Sequence, residues 1–176
     1  MMRRRSHSSN QGFAMFLVMI YIFLAVAVVA GVSTAVMSAV RTTDTLDASR
    51  KALEAAEYGE VQAVAGLSAG SETDLGLAAW RRLHEQAPAA LAAALRLPAF
   101  GEPGVAPLPL AAVRGAEYVA MAEPTKESGL VVVYAAGRCG NAERRVEAVY
   151  RPPSVENDSQ PKHFTRIAWR ELPPVR

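Results

Sequence analysis

The stretch FAMFLVMIYIFLAVAVVAGVSTAVMSAV, residues 13–40, carries no charged side chain. As an α-helix rising about 1.5 Å per residue it reaches roughly 42 Å, more than the roughly 30 Å hydrocarbon core of a bilayer. This length and composition predict a membrane span. Arg3, Arg4 and Arg5 stand just before the run. Positive flanking charge stays on the cytoplasmic side, so the residues after about position 41 are expected outside the cytoplasm. The approach to the run is abrupt, because Ser9-Asn10-Gln11-Gly12 leads straight into the aromatic Phe13 with no polar spacer.

Two ordinary readings compete for such a segment. A cleaved secretory signal has an apolar core of only about 7–15 residues followed by a small-residue cleavage site. Sites of that kind exist after Ala27 and Ala35, but the run is too long. A single-pass anchor fits the length fully. Either way, about 135 of the 176 residues follow the span, enough for one modest domain and too few for two large ones. Cys139 is the single cysteine, so no internal disulfide can staple that domain. The net charge of +2 includes the leader arginines, which leaves the remainder nearly neutral and without the basic surface that nucleic acid requires.

The helical pattern continues past the apolar run. RTTDTLDASRKALEAAEYGEVQAVAGL, residues 41–67, contains no proline, and Leu46, Leu53, Ala56, Ala63 and Leu67 recur as one helical face. Asp47 with Lys51 and Arg50 with Glu54 form i,i+4 pairs on the other side, each worth about 0.2–0.5 kcal/mol when exposed. Glu54, Glu57 and Glu60 read as a solvated face rather than a metal site. Gly66 and Gly70 mark the expected end. The prediction is one helix of about 55 residues, apolar in its first half and amphipathic in its second. Sustained heptads are absent, which favours docking on a small domain over a coiled coil.

Gly12-Phe13, between a short basic leader and a long apolar helix, resembles the type III signal of type IV pilins and type II secretion pseudopilins. In that family a prepilin peptidase cuts after the glycine and methylates the new terminal amine. The resemblance implies that residues 1–12 are a cleaved leader, that Gly12 precedes the cut and that Phe13 is the methylated mature N-terminus. Ala52-Leu53-Glu54-Ala55-Ala56-Glu57-Tyr58-Gly59 is similar to the alanine-rich segment that follows the membrane helix in PilX-type minor pilins and tip pseudopilins. Good helix propensity of Ala and Glu also accounts for that composition. The chain departs from the family at Leu17, where most pilins carry a glutamate thought to pair with a neighbour's terminal amine. A carboxylate in lipid is costly unless paired. Its absence eases residence in the membrane, removes a docking contact and favours an initiating or tip subunit.

The remainder reads as a small α+β head. Residues 71–74 resemble a helix N-terminal capping signal, and DLGLAAWRRLHEQAPAALAAALRL, residues 74–97, predicts one or two helices interrupted at Pro88. Residues 98–116, with Pro103, Pro107, Pro109, Gly101, Gly104 and Gly115, predict a surface loop. EYVAMA (117–122), LVVVYAAG (130–137) and RRVEAVYR (144–151) have strand composition, with residues 137–141 joining the last two as a hairpin. This hairpin with its closing Tyr-Arg also resembles the final strands of PilX-type heads. After Pro152 and Pro153 comes a polar linker, then HFTRIAWREL (163–172), a candidate extra strand. Trp80 and Trp169 are expected to fill the core.

No catalytic constellation emerges. His7, His84 and His163 show no paired-ligand spacing, and G-x-S-x-G, P-loop and dinucleotide glycine patterns are absent. Cys139 reads as a tolerated turn residue. No cofactor, metal or small-molecule substrate is indicated. The expected organisation is a leader (1–12), a transmembrane helix (13–40), its amphipathic continuation (41–70), a periplasmic α+β head of pilin-like layout (71–151) and a C-terminal tail (152–176). The expected role is a non-enzymatic minor subunit of a type IV pilus or type II secretion pseudopilus. Its partners would be other pilins or pseudopilins, prepilin peptidase and the inner membrane. The alternative is a single-pass anchored periplasmic binding or scaffold protein that never polymerises.

Overall fold

The structure, a computed structural model, describes residues 9–71, 73–85, 99–125, 129–153 and 163–173, the side chains of residues 9–12 and of His84 excepted. The leader before Ser9, the part of the 74–97 stretch beyond Glu85 and the linker at 154–162 lie outside the described residues. The chain divides into two compact units, Met1–Asp44 and Thr45–Arg176. A single helix, α1 (Ser9–Ala69), runs through both. It ends where Gly70 takes a φ of +67° and Ser71 N–H closes back onto the Gly66 carbonyl, so the glycine stop read from the sequence holds.

In the first unit every side chain from Phe13 to Asp44 is exposed. This part of α1 is long and apolar enough to cross a membrane. Its hydroxyls bond within the helix: Ser33 Oγ donates to the Val29 carbonyl at 2.8 Å and Thr34 Oγ1 to the Gly31 carbonyl at 2.8 Å. Thr42 and Thr43 likewise donate to Ser38 and Ala39. The polar atoms of these side chains therefore need no water or protein partner.

The second unit is built on a five-stranded antiparallel sheet in the order β1 (Leu108–Pro109), β2 (Ala116–Pro124), β3 (Val131–Cys139), β4 (Ala142–Arg151), β5 (Thr165–Leu172). Each strand pairs with its sequence neighbour, as short connections favour. The β3–β4 turn is tighter than the five residues read from the sequence. Cys139 pairs with Ala142, and only Gly140 and Asn141 lie between them. Gly140 takes a φ of +57°, the left-handed geometry that the first position of a two-residue hairpin turn demands.

Period-2 alternation assigns the two faces. Ala120 and Ala122 of β2, Val131, Val133 and Ala135 of β3, and Val146, Ala148 and Tyr150 of β4 form one core with Ala56 and Ala63 of α1. Val119, Met121, Tyr134 and Ala136 point to the opposite face and pack with Leu77 and Trp80. Trp80 belongs to α2 (Ala78–Glu85), which begins four residues into the helical stretch read from the sequence. The 98–116 stretch is more than a surface loop. Leu108 and Pro109 pair with β2, and Leu110 is buried in a third cluster with Ala55, Ala116 and Tyr118.

The docked face of α1 is a stripe of small residues, Ala52, Ala55, Ala56, Gly59 and Ala63, all buried. Leu53 and Leu67 flank it half-buried, and Leu46, read as part of the same face, is exposed. The small stripe lets helix and sheet approach until backbone meets backbone. A Cβ on Gly137 would stand 2.4 Å from Ala56 N, and one on Gly59 would stand 2.9 Å from the Tyr118 ring. Tyr58 and Tyr118 stack edge to face at 5.3 Å along one margin.

Candidate functional site

Two features carry the chemistry of this chain, the exposed apolar helix in the first unit and a polar cluster buried in the second. The first is built from residue type alone. A helix whose every side is apolar has no soluble face, and the stretch from Phe13 to Val40 leaves its Phe, Met, Leu, Ile and Val side chains open around the circumference. Gly12 and Phe13 both lie within α1, with Phe13 exposed. Leu17 is 50 % exposed and borders an apolar surface hollow with Val18, Ile20, Tyr21 and Leu24. This surface can bury itself in lipid or against other apolar helices.

The second feature corrects the reading of Glu54, Glu57 and Glu60 as one solvated face. Glu54 and Glu57 are exposed, but Glu60 is 1 % exposed. It stands on the docked side of α1, one turn after Ala56 and just under one turn before Ala63. A carboxylate placed there must be paired, and its partners come from the far end of the chain. Tyr150 Oη donates to Glu60 Oε1 at 2.5 Å, and Arg166 Nη1 donates to the same oxygen at 3.2 Å. Burial, and then the bond to the Glu60 carboxylate, push the Tyr150 phenol well above its ordinary range. The Glu60 bond also holds the Arg166 guanidinium up. Glu60 Oε2 has no hydrogen-bond partner among the described residues. The arrangement ties α1, β4 and β5 together through one oxygen, and a phenol held so firmly protonated is a poor nucleophile and base.

A second tie lies further along the same helix. Arg144 of β4 donates through Nε to Ser49 Oγ at 2.8 Å and pairs through Nη1 with Glu171 of β5 at 2.9 Å. Arg81 bridges Asp74 at 3.1 Å and Glu123 at 3.3 Å on the opposite face of the sheet. The pair Asp47–Lys51 forms on α1 as its spacing predicts, at 2.6 Å.

Among the described residues no group of three or more His, Cys, Asp or Glu side chains is placed to hold a metal ion. His84 lies in α2 and His163 precedes β5, exposed. Cys139 closes β3, half-buried beside the third cluster. Trp80 is buried as expected, its Nε1 donating to Glu102 Oε2 at 3.4 Å. Trp169 is not a core residue. It sits on β5, 39 % exposed, because an edge strand has a neighbour on one side only. Comparison of the chain with protein-family models, curated proteins and solved structures finds no match.

Proposed function

We propose that the chain is a minor subunit of a type IV pilus or type II secretion pseudopilus, of the PilX kind, which acts by helix packing and not by catalysis. The observation that carries this reading is one uninterrupted helix, α1, whose first half is apolar on all sides and whose second half docks on a small antiparallel sheet. An all-apolar helix can be held in the inner membrane and then transferred among other apolar helices without a large change in burial, because lipid tails and helix cores are similarly apolar. The self-satisfied hydroxyls of Ser33 and Thr34 support the same transfer. Arg3, Arg4 and Arg5 orient the helix with its N-terminus cytoplasmic and its sheet unit periplasmic. Gly12-Phe13 at the mouth of the helix supports cleavage by prepilin peptidase, and Leu17 supports a place at the tip or in initiation.

N-terminal mass spectrometry of the membrane-extracted protein, coexpressed with a prepilin peptidase, tests the reading. The expected product begins at a methylated Phe13, and Gly12→Leu blocks its formation. An intact Met1 or Met2 terminus beside an active peptidase would overturn it in favour of an anchored periplasmic scaffold.

A further inference from the structure

β5 is the least buried strand of the sheet. All its residues but Leu172 are exposed, whereas β2, β3 and β4 each bury a run of side chains. None of the buried residues in the three core clusters belongs to β5. Its apolar anchoring is limited to Phe164, just before the strand, and Leu172 at its end, both half-buried. The fully buried members of the core thus all come from outside β5.

What holds the strand is polar. It pairs with β4 in a ladder whose register shifts at Val149/Tyr150, so that Ile167 has no partner opposite it. Two ion pairs reinforce the ladder, Arg170–Glu147 at 2.8 Å and Glu171–Arg144 at 2.9 Å, and a third, Arg166–Glu60 at 3.2 Å, ties β5 to α1. In each the β5 member is open to solvent, Arg166 at 54 %, Arg170 at 67 % and Glu171 at 37 %. Salt ions reach the exposed member of each pair and so weaken it, most of all Glu171–Arg144, which is open on both sides.

We infer that β5 is a detachable strand, which opens from β4 as a unit while β2, β3, β4 and the docked part of α1 stay folded, and that ionic strength sets how often it opens. Glu60 keeps its hydrogen bond from Tyr150 when Arg166 leaves, so opening does not leave the carboxylate without a donor. Opening frees the outer backbone amides and carbonyls of β4 from Arg145 to Arg151, a row able to accept another strand. This inference stands whether or not the chain assembles into filaments.

Hydrogen exchange of the full chain in detergent micelles, followed by mass spectrometry at about 0.05 M and about 0.5 M NaCl, tests it, since that change shortens the Debye length roughly threefold. Residues 165–172 should exchange about tenfold or more faster than residues 131–139, as expected of a sub-global opening. Their exchange should rise further at the higher salt while residues 131–139 do not change. Val149 and Ala168 are register partners, so Val149→Cys with Ala168→Cys, in a chain carrying Cys139→Ser, should abolish the salt response once crosslinked. Exchange of β5 as slow as that of β3 at both salt concentrations would overturn the inference, and so would a salt response that persists in the crosslinked protein.

Discussion

Gly137 lies against Ala52 so closely that a methyl group on the glycine would stand 2.1 Å from the alanine's carbonyl oxygen. That contact sets the distance between α1 and the sheet. The obstacle is backbone on both sides, which cannot rotate away as a side chain would. Gly137→Ala should therefore cost about 3 kcal/mol or more, the upper part of the range for overpacking a core. Thermal unfolding of a fragment beginning at Arg41 measures it, with Ala65→Ser on the exposed side of α1 as a control expected within about 0.5 kcal/mol of the parent. A Gly137→Ala fragment as stable as the parent would mean that helix and sheet do not approach this closely.

Glu60 and Arg166 form one ion pair, yet their loss should be unequal. Glu60→Ala removes a buried acceptor and leaves the Tyr150 hydroxyl unpaired beside a cavity, at about 2–4 kcal/mol. Glu60→Gln keeps an acceptor for Tyr150 and should lose about 1 kcal/mol. Arg166→Ala removes a half-exposed partner and should lose about 1 kcal/mol or less. Denaturant titration of the three variants checks the order, and an Arg166→Ala loss larger than that of Glu60→Ala would contradict it.

The raised Tyr150 phenol gives an alkaline signature. Its pKa in the folded state lies above the unfolded value of about 10, so the unfolded chain releases the proton first as pH rises. Above that point the folded state binds more protons, and stability falls with pH by about 1.4 kcal/mol per unit for this group until the folded pKa is reached. Tyr118 and Tyr134, pushed up chiefly by burial, act in the same direction. Melting temperatures recorded from about pH 8 to about pH 11 should be flat at first and then decline, the decline being shallower in Tyr150→Phe. An unchanged melting temperature at the alkaline end would show that the phenol is not held in this way.

On the proposed tip role, deletion of the chain in the cell should sharply lower filament number or secretion, and Leu17→Glu should be tolerated or mildly harmful, because a tip position has no neighbour's amine to wait for. Quantitative mass spectrometry of sheared filaments should find the chain far less abundant than the main subunit. Recovery as the dominant component would refute a minor role.

Period and composition made much of this fold legible. The alternation of Val146, Ala148 and Tyr150 with Glu147, Val149 and Arg151 is the alternation of buried with more open positions along β4, and Thr165–Leu172 is a strand where strand-like residues follow Pro152-Pro153 and the polar linker. α1 ends at Ala69, one residue before Gly70 and three beyond Gly66. The polar cluster is not legible in the sequence, because Tyr150 and Arg166 lie 90 and 106 residues from Glu60, and no local period reports a partner so distant. A signal was present all the same. Glu60 shares a helical face with Leu53, Ala56, Ala63 and Leu67, and a lone carboxylate on an otherwise apolar face asks for a buried partner. β1 is equally illegible, because two residues, one of them proline, carry no period.

The hairpin at Gly140 has a reach beyond its own turn. Side chains alternate sides along a strand, so a slip of one residue in the pairing of β3 with β4 would exchange the two sets wholesale. Arg145, Glu147 and Val149 would be pressed under α1, and Tyr150 would face away from Glu60. The left-handed angle at Gly140, on the far side of β4 from Tyr150, thus acts as the keying pin of the head: one backbone torsion decides which side chain Glu60 meets.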